Sequence, residues 1–130
     1  MPIAVLDAGV AIGWIQGRAR SKAKIASLFA AGRARRLDLV MSTVNLAETL
    51  KHTADLSQET GVDPVVLLAG QGVRFHEPGE AVARRVAKLR TSIADGFATA
   101  TAQELRARLN TTDAELAEQL TRTRVRVTMY

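Results

Sequence analysis

The sequence predicts an α/β domain with a mostly parallel central sheet of about five strands and helices on both faces. Three observations carry this. Short apolar runs alternate with amphipathic, helix-length segments. The first run, Ile3-Ala4-Val5-Leu6, is uninterrupted, as in a strand buried on both faces. Acidic residues recur just beyond the apolar runs, at the sheet edge where open α/β folds gather their sites.

In chain order, Ile3 to Leu6 is the first strand, Val10 to Ile15 a short helix and Gly17 its stop. Ser21 caps a helix running through about Ala31, with Ile25, Leu28 and Phe29 spaced for one buried face and Gly32 ending it. Leu37 to Met41 is the second strand. Ser42 or Thr43 then caps one long helix bearing Val44, Ala47 and Leu50, which Gly61 breaks. Asp63-Pro64 opens a short helix, Val65 to Ala69, with proline in the first turn. Val73 to Phe75 is a weak third strand. Gly79 to Arg90 is a helix facing inward through Val82, Val86 and Leu89, and Asp95 to Ala107 another, through Ala98, Ala102 and Leu105. Arg108 to Asn110 is the fourth strand, Asp113 to Leu120 a helix, and Val125 to Met129 the last strand. With 130 residues and neither repeat nor linker, one domain spanning 1–130 is expected.

Four acids stand out. Asp7 closes the first strand, Glu48 lies about two turns beyond the second, Asp95 precedes a run of small residues and Asp113 follows the fourth strand. Carboxylates converging on one edge repel unless a cation lies between them, so the spacing marks a divalent-metal site. Each also has a structural explanation. Asp7 can end its strand by bonding the following turn. Ser92 to Asp95 matches a capping box with Asp in the Glu position. Thr112 would cap the helix that holds Asp113 in its first turn, with Glu115 completing the box. Glu48 is too deep in its helix to cap it, and its apolar neighbours Val44 and Ala47 place it beside the buried face, where a carboxylate needs a partner. His52, one turn from Glu48, and His76 read as solvated residues.

The charge balance is 18 basic to 13 acidic residues, a net of +5. Setting the four acids aside leaves nine against 18, a basic surround of +9 about a negative pocket. That pattern suits a phosphodiester substrate, although a solubilising excess of arginine would equally explain it. The chain lacks cysteine, which excludes disulfides, thiolate catalysis and cysteine-based zinc sites. The apolar start is too short for a signal peptide and lacks a basic flank, and no apolar stretch reaches a membrane span, so a cytoplasmic protein without membrane contact is expected. Nucleotide-binding glycine loops and the nucleophile-elbow pattern are absent from the sequence, as is an aromatic platform for bases.

Taken in order, Val5 to Ile12, Ser42 to Glu48, Val86 to Arg90, Ile93 to Ala102 and Thr111 to Asp113 resemble the PIN-domain ribonucleases, and among them the VapC toxins of toxin–antitoxin pairs. The resemblance implies a PIN-like domain in which Asp7, Glu48, Asp95 and Asp113 are the catalytic acids that hold Mg²⁺ or Mn²⁺. Thr111, Asn45 and Arg90 stand in a supporting role. It implies an RNA substrate cut to 5′-phosphate and 3′-hydroxyl ends, a cognate antitoxin and a homodimer. A non-catalytic PIN-like module that binds RNA or acts as a scaffold is the alternative. Two departures from the family pattern are evident. Gly9 stands where Ser or Thr is usual, removing a hydroxyl near the metal, and Gly96 stands where Ala is frequent, which loosens that helix start. Trp14, Ile15, Ile25, Leu28 and Phe29 offer more apolar surface than a thin layered domain buries, and part of it is expected to lie under a second chain; the alternative is that all five pack within the monomer, which for Ile25 and Leu28 is accepted.

Overall fold

The structure is a computed structural model that describes residues 1–17 and 20–130. Its centre is a five-stranded sheet, every pairing parallel, in the order β3-β2-β1-β4-β5. The strands are β1 (Ile3–Leu6), β2 (Asp38–Ser42), β3 (Arg74–His76), β4 (Arg108–Thr111) and β5 (Val127–Met129). Alternation along β1 divides the core. Ala4 and Leu6 face one side, with Leu39 and Met41 from β2. Val5 faces the other, with Val40 and Leu109.

Against the first face pack α1 (Ala8–Gln16), α2 (Lys22–Arg33) and α5 (Pro64–Gly70), through Val10, Ile25, Phe29 and Leu68. Against the second pack α7 (Ile93–Leu105) and α8 (Ala114–Leu120), through Ala98, Ala102 and Leu116. Outside α7 lies α6 (Glu80–Ala87), where Val82 and Val86 meet Ala100. The expected layering therefore holds, with a sheet that is parallel throughout.

Several local expectations are corrected. Gly32 does not end α2. It is buried inside the helix, where the Leu39 side chain and the Gln71 carbonyl leave no room for a Cβ. Ser21 occupies the N-cap position without a side-chain bond. The long helix after β2 is two, α3 (Thr43–His52) and α4 (Ala54–Thr60). At the break, the Thr49 hydroxyl donates to the Asn45 carbonyl at 2.9 Å and the Thr53 hydroxyl to the Thr49 carbonyl at 2.8 Å. Such back-bonding competes with the helical ladder and bends it. Ala47 is exposed, and the buried side chains of α3 are Asn45 and Thr49. The α6 helix stops at Ala87, so Leu89 lies beyond it. Ile25, Leu28 and Phe29 are buried within the chain, Trp14 stacking on Phe29 with ring centroids 4.3 Å apart. A second chain is not needed to cover those three.

Candidate active site

The strand order places a topological switch at β1, since β2 lies on one side of it and β4 on the other. In open α/β sheets the crevice outside the carboxyl ends of such strands is where ligands bind. Asp7 directly follows β1, and Asp113 follows β4 by two residues. A cavity of about 210 Å³ at this crevice is lined by Asp7, Glu48, Asp95 and Asp113, together with Gly9, Thr112 and His52. All four acids singled out in the sequence thus border one cavity, which three separate helix starts and the middle of α3 deliver.

Asp7 is buried. It is the N-cap of α1, its Oδ1 accepting from the Val10 amide at 3.3 Å, while Oδ2 accepts from the Thr111 hydroxyl. Desolvation is the largest influence on this carboxyl. Despite those hydrogen bonds, burial, with a smaller repulsion from Asp95, raises its pKa from 3.8 to about 6. Asp95 occupies the first turn of α7, capped by the Ser92 hydroxyl, which accepts from the Asp95 amide at 3.2 Å. Its pKa is raised too, by desolvation first and then by the charges of Asp113 and Glu115. Asp113, rather than Thr112, caps α8. Its Oδ1 accepts from the Leu116 amide at 3.0 Å. Glu48 is half-buried on α3.

Thr111 ties the crevice together. Fully buried, it donates its hydroxyl hydrogen to Asp7 and accepts from the Asp113 amide at 3.0 Å. Asn45 is buried and does not line the cavity. Its Nδ2 donates to the Ala94 carbonyl at 3.0 Å, fixing α3 to the residue before Asp95, and its Oδ1 lacks a partner among the described residues. Arg90 does not join the acids. It is exposed and lines a different depression, with Glu118 and Arg122. His52 is exposed at the rim, its Nδ1 lying 2.9 Å from the Glu48 carbonyl. His76 is half-buried, with Nε2 3.3 Å from Glu104.

The two glycines have spatial explanations. A Cβ on Gly9 would collide with the Thr112 hydroxyl and lie 3.3 Å from Asp7 Oδ1, so Thr112 supplies a hydroxyl in the space a side chain at position 9 would need. Gly96 tightens its helix start instead of loosening it. A Cβ there would meet Val86 at 2.9 Å, and its amide donates to the Ser92 carbonyl at 2.8 Å. Sequence reasoning missed Thr112 as a site residue and Glu115 as a source of charge on Asp95. The signal for both was their place beside Asp113, at the start of a helix already expected to point into the site.

Compared by sequence, no protein-family model and no curated protein matches the chain. Compared by structure, it is similar to a toxin–antitoxin complex from Klebsiella pneumoniae, at TM-score 0.71 and 19% identity over 98% of both chains. It is similar to VapBC2 from Rickettsia felis, bound to a DNA fragment from its promoter, at TM-score 0.71 and 15% identity over 98% of both. It also resembles Mycobacterium tuberculosis VapC20, a Sarcin-Ricin loop cleaving toxin, at TM-score 0.64 and 13% identity over 88% of this chain and 93% of that one. The chain has the PIN-like fold. Within that PIN-like frame, the described residues contain no helix long and apolar enough to cross a membrane. No three of their His, Cys, Asp or Glu side chains are gathered closely enough to hold a metal ion as they stand.

Proposed function

We propose that this protein is a metal-dependent endoribonuclease acting in the cytoplasm as the toxin of a toxin–antitoxin pair. The observation that carries the reading is the single cavity at the switch point bordered by Asp7, Glu48, Asp95 and Asp113. The donors are all carboxylate oxygens, the set that suits Mg²⁺ or Mn²⁺. Burial first, and repulsion from neighbouring carboxylates second, raise the pKa values of Asp7 and Asp95, and a cation between them would offset both costs. When bound, such an ion supplies charge neutralisation at the phosphate and a water of lowered pKa. The chain's part is to position the carboxylates. Thr111 holds Asp7 and the Asp113 backbone in one unit, and the Ser92 cap and Asn45 hold the start of α7 that carries Asp95. Cleavage leaves 5′-phosphate and 3′-hydroxyl ends. The fold it shares with VapC20 and with toxin–antitoxin complexes supports RNA as substrate and an antitoxin as partner. A homodimer is proposed with it.

One observation favours a second reading. Because no three acids are drawn together tightly enough for a metal among the described residues, a non-catalytic PIN-like module that binds RNA or acts as a scaffold is the alternative. Cleavage separates the two. Purified protein is expected to cut loop-containing RNA with Mg²⁺ or Mn²⁺, EDTA to stop it, and Asp7→Asn to lower the rate at least ~100-fold while the fold persists. Equal cleavage by wild type and variant, or none by wild type with either metal, rejects the nuclease. Light scattering, and co-purification with the product of the neighbouring gene, test the homodimer and the antitoxin.

A further inference from the structure

A depression of about 520 Å³ lies apart from the acidic one. It lies at the other end of the sheet, where β4 and β5 begin and α7 ends. Four arginines line it: Arg85 from α6, Arg106 just past α7, and Arg124 and Arg126 before β5. All four are exposed, and among the described residues none is in an ion pair or a side-chain hydrogen bond. Among those residues no carboxylate lines the groove. The alternation that produces it is plain in the sequence Arg124-Val125-Arg126-Val127, with Val125 and Val127 packed on the core and the arginines turned outward. Arg106 holds a left-handed backbone (φ 51°) at a helix end where glycine is the ordinary residue.

We propose that this groove binds the phosphodiester backbone of a nucleic acid, at a place separate from the acidic crevice. Guanidinium groups present planar forks that match phosphate oxygens, and four from three segments make a concave set of donors. The described residues that line the groove include no aromatic side chain for stacking, so it reads charge and not sequence. A protein partner with an acidic tail is the weaker match. None of the exposed large apolar residues (Met1, Val62, Val66, Ile93, Met129) lines the groove, so the buried apolar anchors that centre protein interfaces are missing. The site does not depend on cleavage.

The test is fluorescence anisotropy with the full chain in EDTA, using a labelled RNA of about 20 nucleotides and DNA of the same sequence, titrated from about 50 to 200 mM salt. Arg124→Gln with Arg126→Gln is expected to weaken binding at least ~10-fold at low salt and to flatten the log–log salt slope by roughly 1.4 to 1.8, about 0.7 to 0.9 for each phosphate that is no longer neutralised. Arg85→Gln alone, on a different element, should flatten it by about half as much. Arg124→Lys with Arg126→Lys should retain the slope. Weakened binding of either nucleic acid by the Gln variants, with melting curves unchanged, supports the site. Wild-type affinity and slope in all Gln variants overturns it. Poly-glutamate bound as tightly as RNA, and released by the same variants, overturns it in favour of an acidic peptide. The assay runs in EDTA and reads binding alone, so a failed nuclease reading leaves this result standing and a failed groove leaves the cleavage assay standing.

Discussion

Asp7 serves two ends that conflict. As the cap of α1 it stabilises the fold through the Val10 amide, yet its buried charge is costly, which is why its carboxyl titrates near 6 instead of 3.8. Well below pH 3.8 the group is largely neutral whether the chain is folded or not. Between those two values the folded chain keeps a proton that the unfolded chain releases, so stability falls as pH rises across the window. Above about pH 6 the whole loss, about 3 kcal/mol, is in place. Asparagine caps as well as aspartate and carries no charge. Asp7→Asn is therefore expected to raise the melting temperature of metal-free protein by roughly 5–10 °C at pH 8, with the gain shrinking toward pH 4. Parallel melting curves for wild type and variant across that range would show that burial of this charge is not costly. The same substitution thus separates stability from activity, as sites that hold strained charge commonly do.

At the scale of elements, the last strand is tied in by more than its ladder. The Tyr130 hydroxyl donates to buried Asn110 Oδ1 at 2.7 Å, the Tyr130 amide donates to the Thr111 carbonyl at 2.9 Å, and Lys24 stands 4.8 Å from the ring. Asn110 in turn donates to the Val5 carbonyl at 3.3 Å, so β5, β4 and β1 share one polar link beneath the site. Tyr130→Phe leaves Asn110 Oδ1 without that donor and should cost about 1 kcal/mol, read as a lower denaturant midpoint with the slope unchanged. An unchanged midpoint would mean that the oxygen finds water instead. Elements of this kind were legible where one-dimensional signals suffice: the doubly buried run at β1, the Ser42 and Ser92 caps, the Asp63-Pro64 helix start. Their limits were not. Thr49 and Thr53 read as ordinary helix residues until their hydroxyls are seen turned back on the chain. Gly32 reads as a stop until Leu39 and Gln71 are seen pressed against it. Of the site, Asp7 and Asp113 were legible by their place after strands, Glu48 by its depth in a helix beside apolar neighbours, and Asp95 by its place before a run of small residues. Arg90 was misplaced because nothing local says which face of the chain end after α6 turns to the crevice, and Thr112 was missed because sequence reasoning assigned it the cap that Asp113 makes.

At the scale of the whole molecule, metal and fold are coupled. A cation that binds the folded crevice and not the unfolded chain stabilises by mass action, so millimolar Mg²⁺ is expected to raise the melting temperature of wild type, and to do so less for Asp7→Asn. No response in wild type would argue that the four carboxylates do not act on one ion. The strand direction also sorts charge. Asp95 and Arg106 lie at opposite ends of α7, about 16 Å apart along its axis. That is roughly two Debye lengths at physiological salt, so the ends are screened from each other and each meets its surroundings alone. Four carboxylates thus border a crevice at one end of the strands and four arginines a groove at the other. A long polyanion captures the domain by the arginine end and leaves the carboxylates turned away. A nucleic acid cut there must therefore bend around the domain, or be held by one copy of the chain and presented to another.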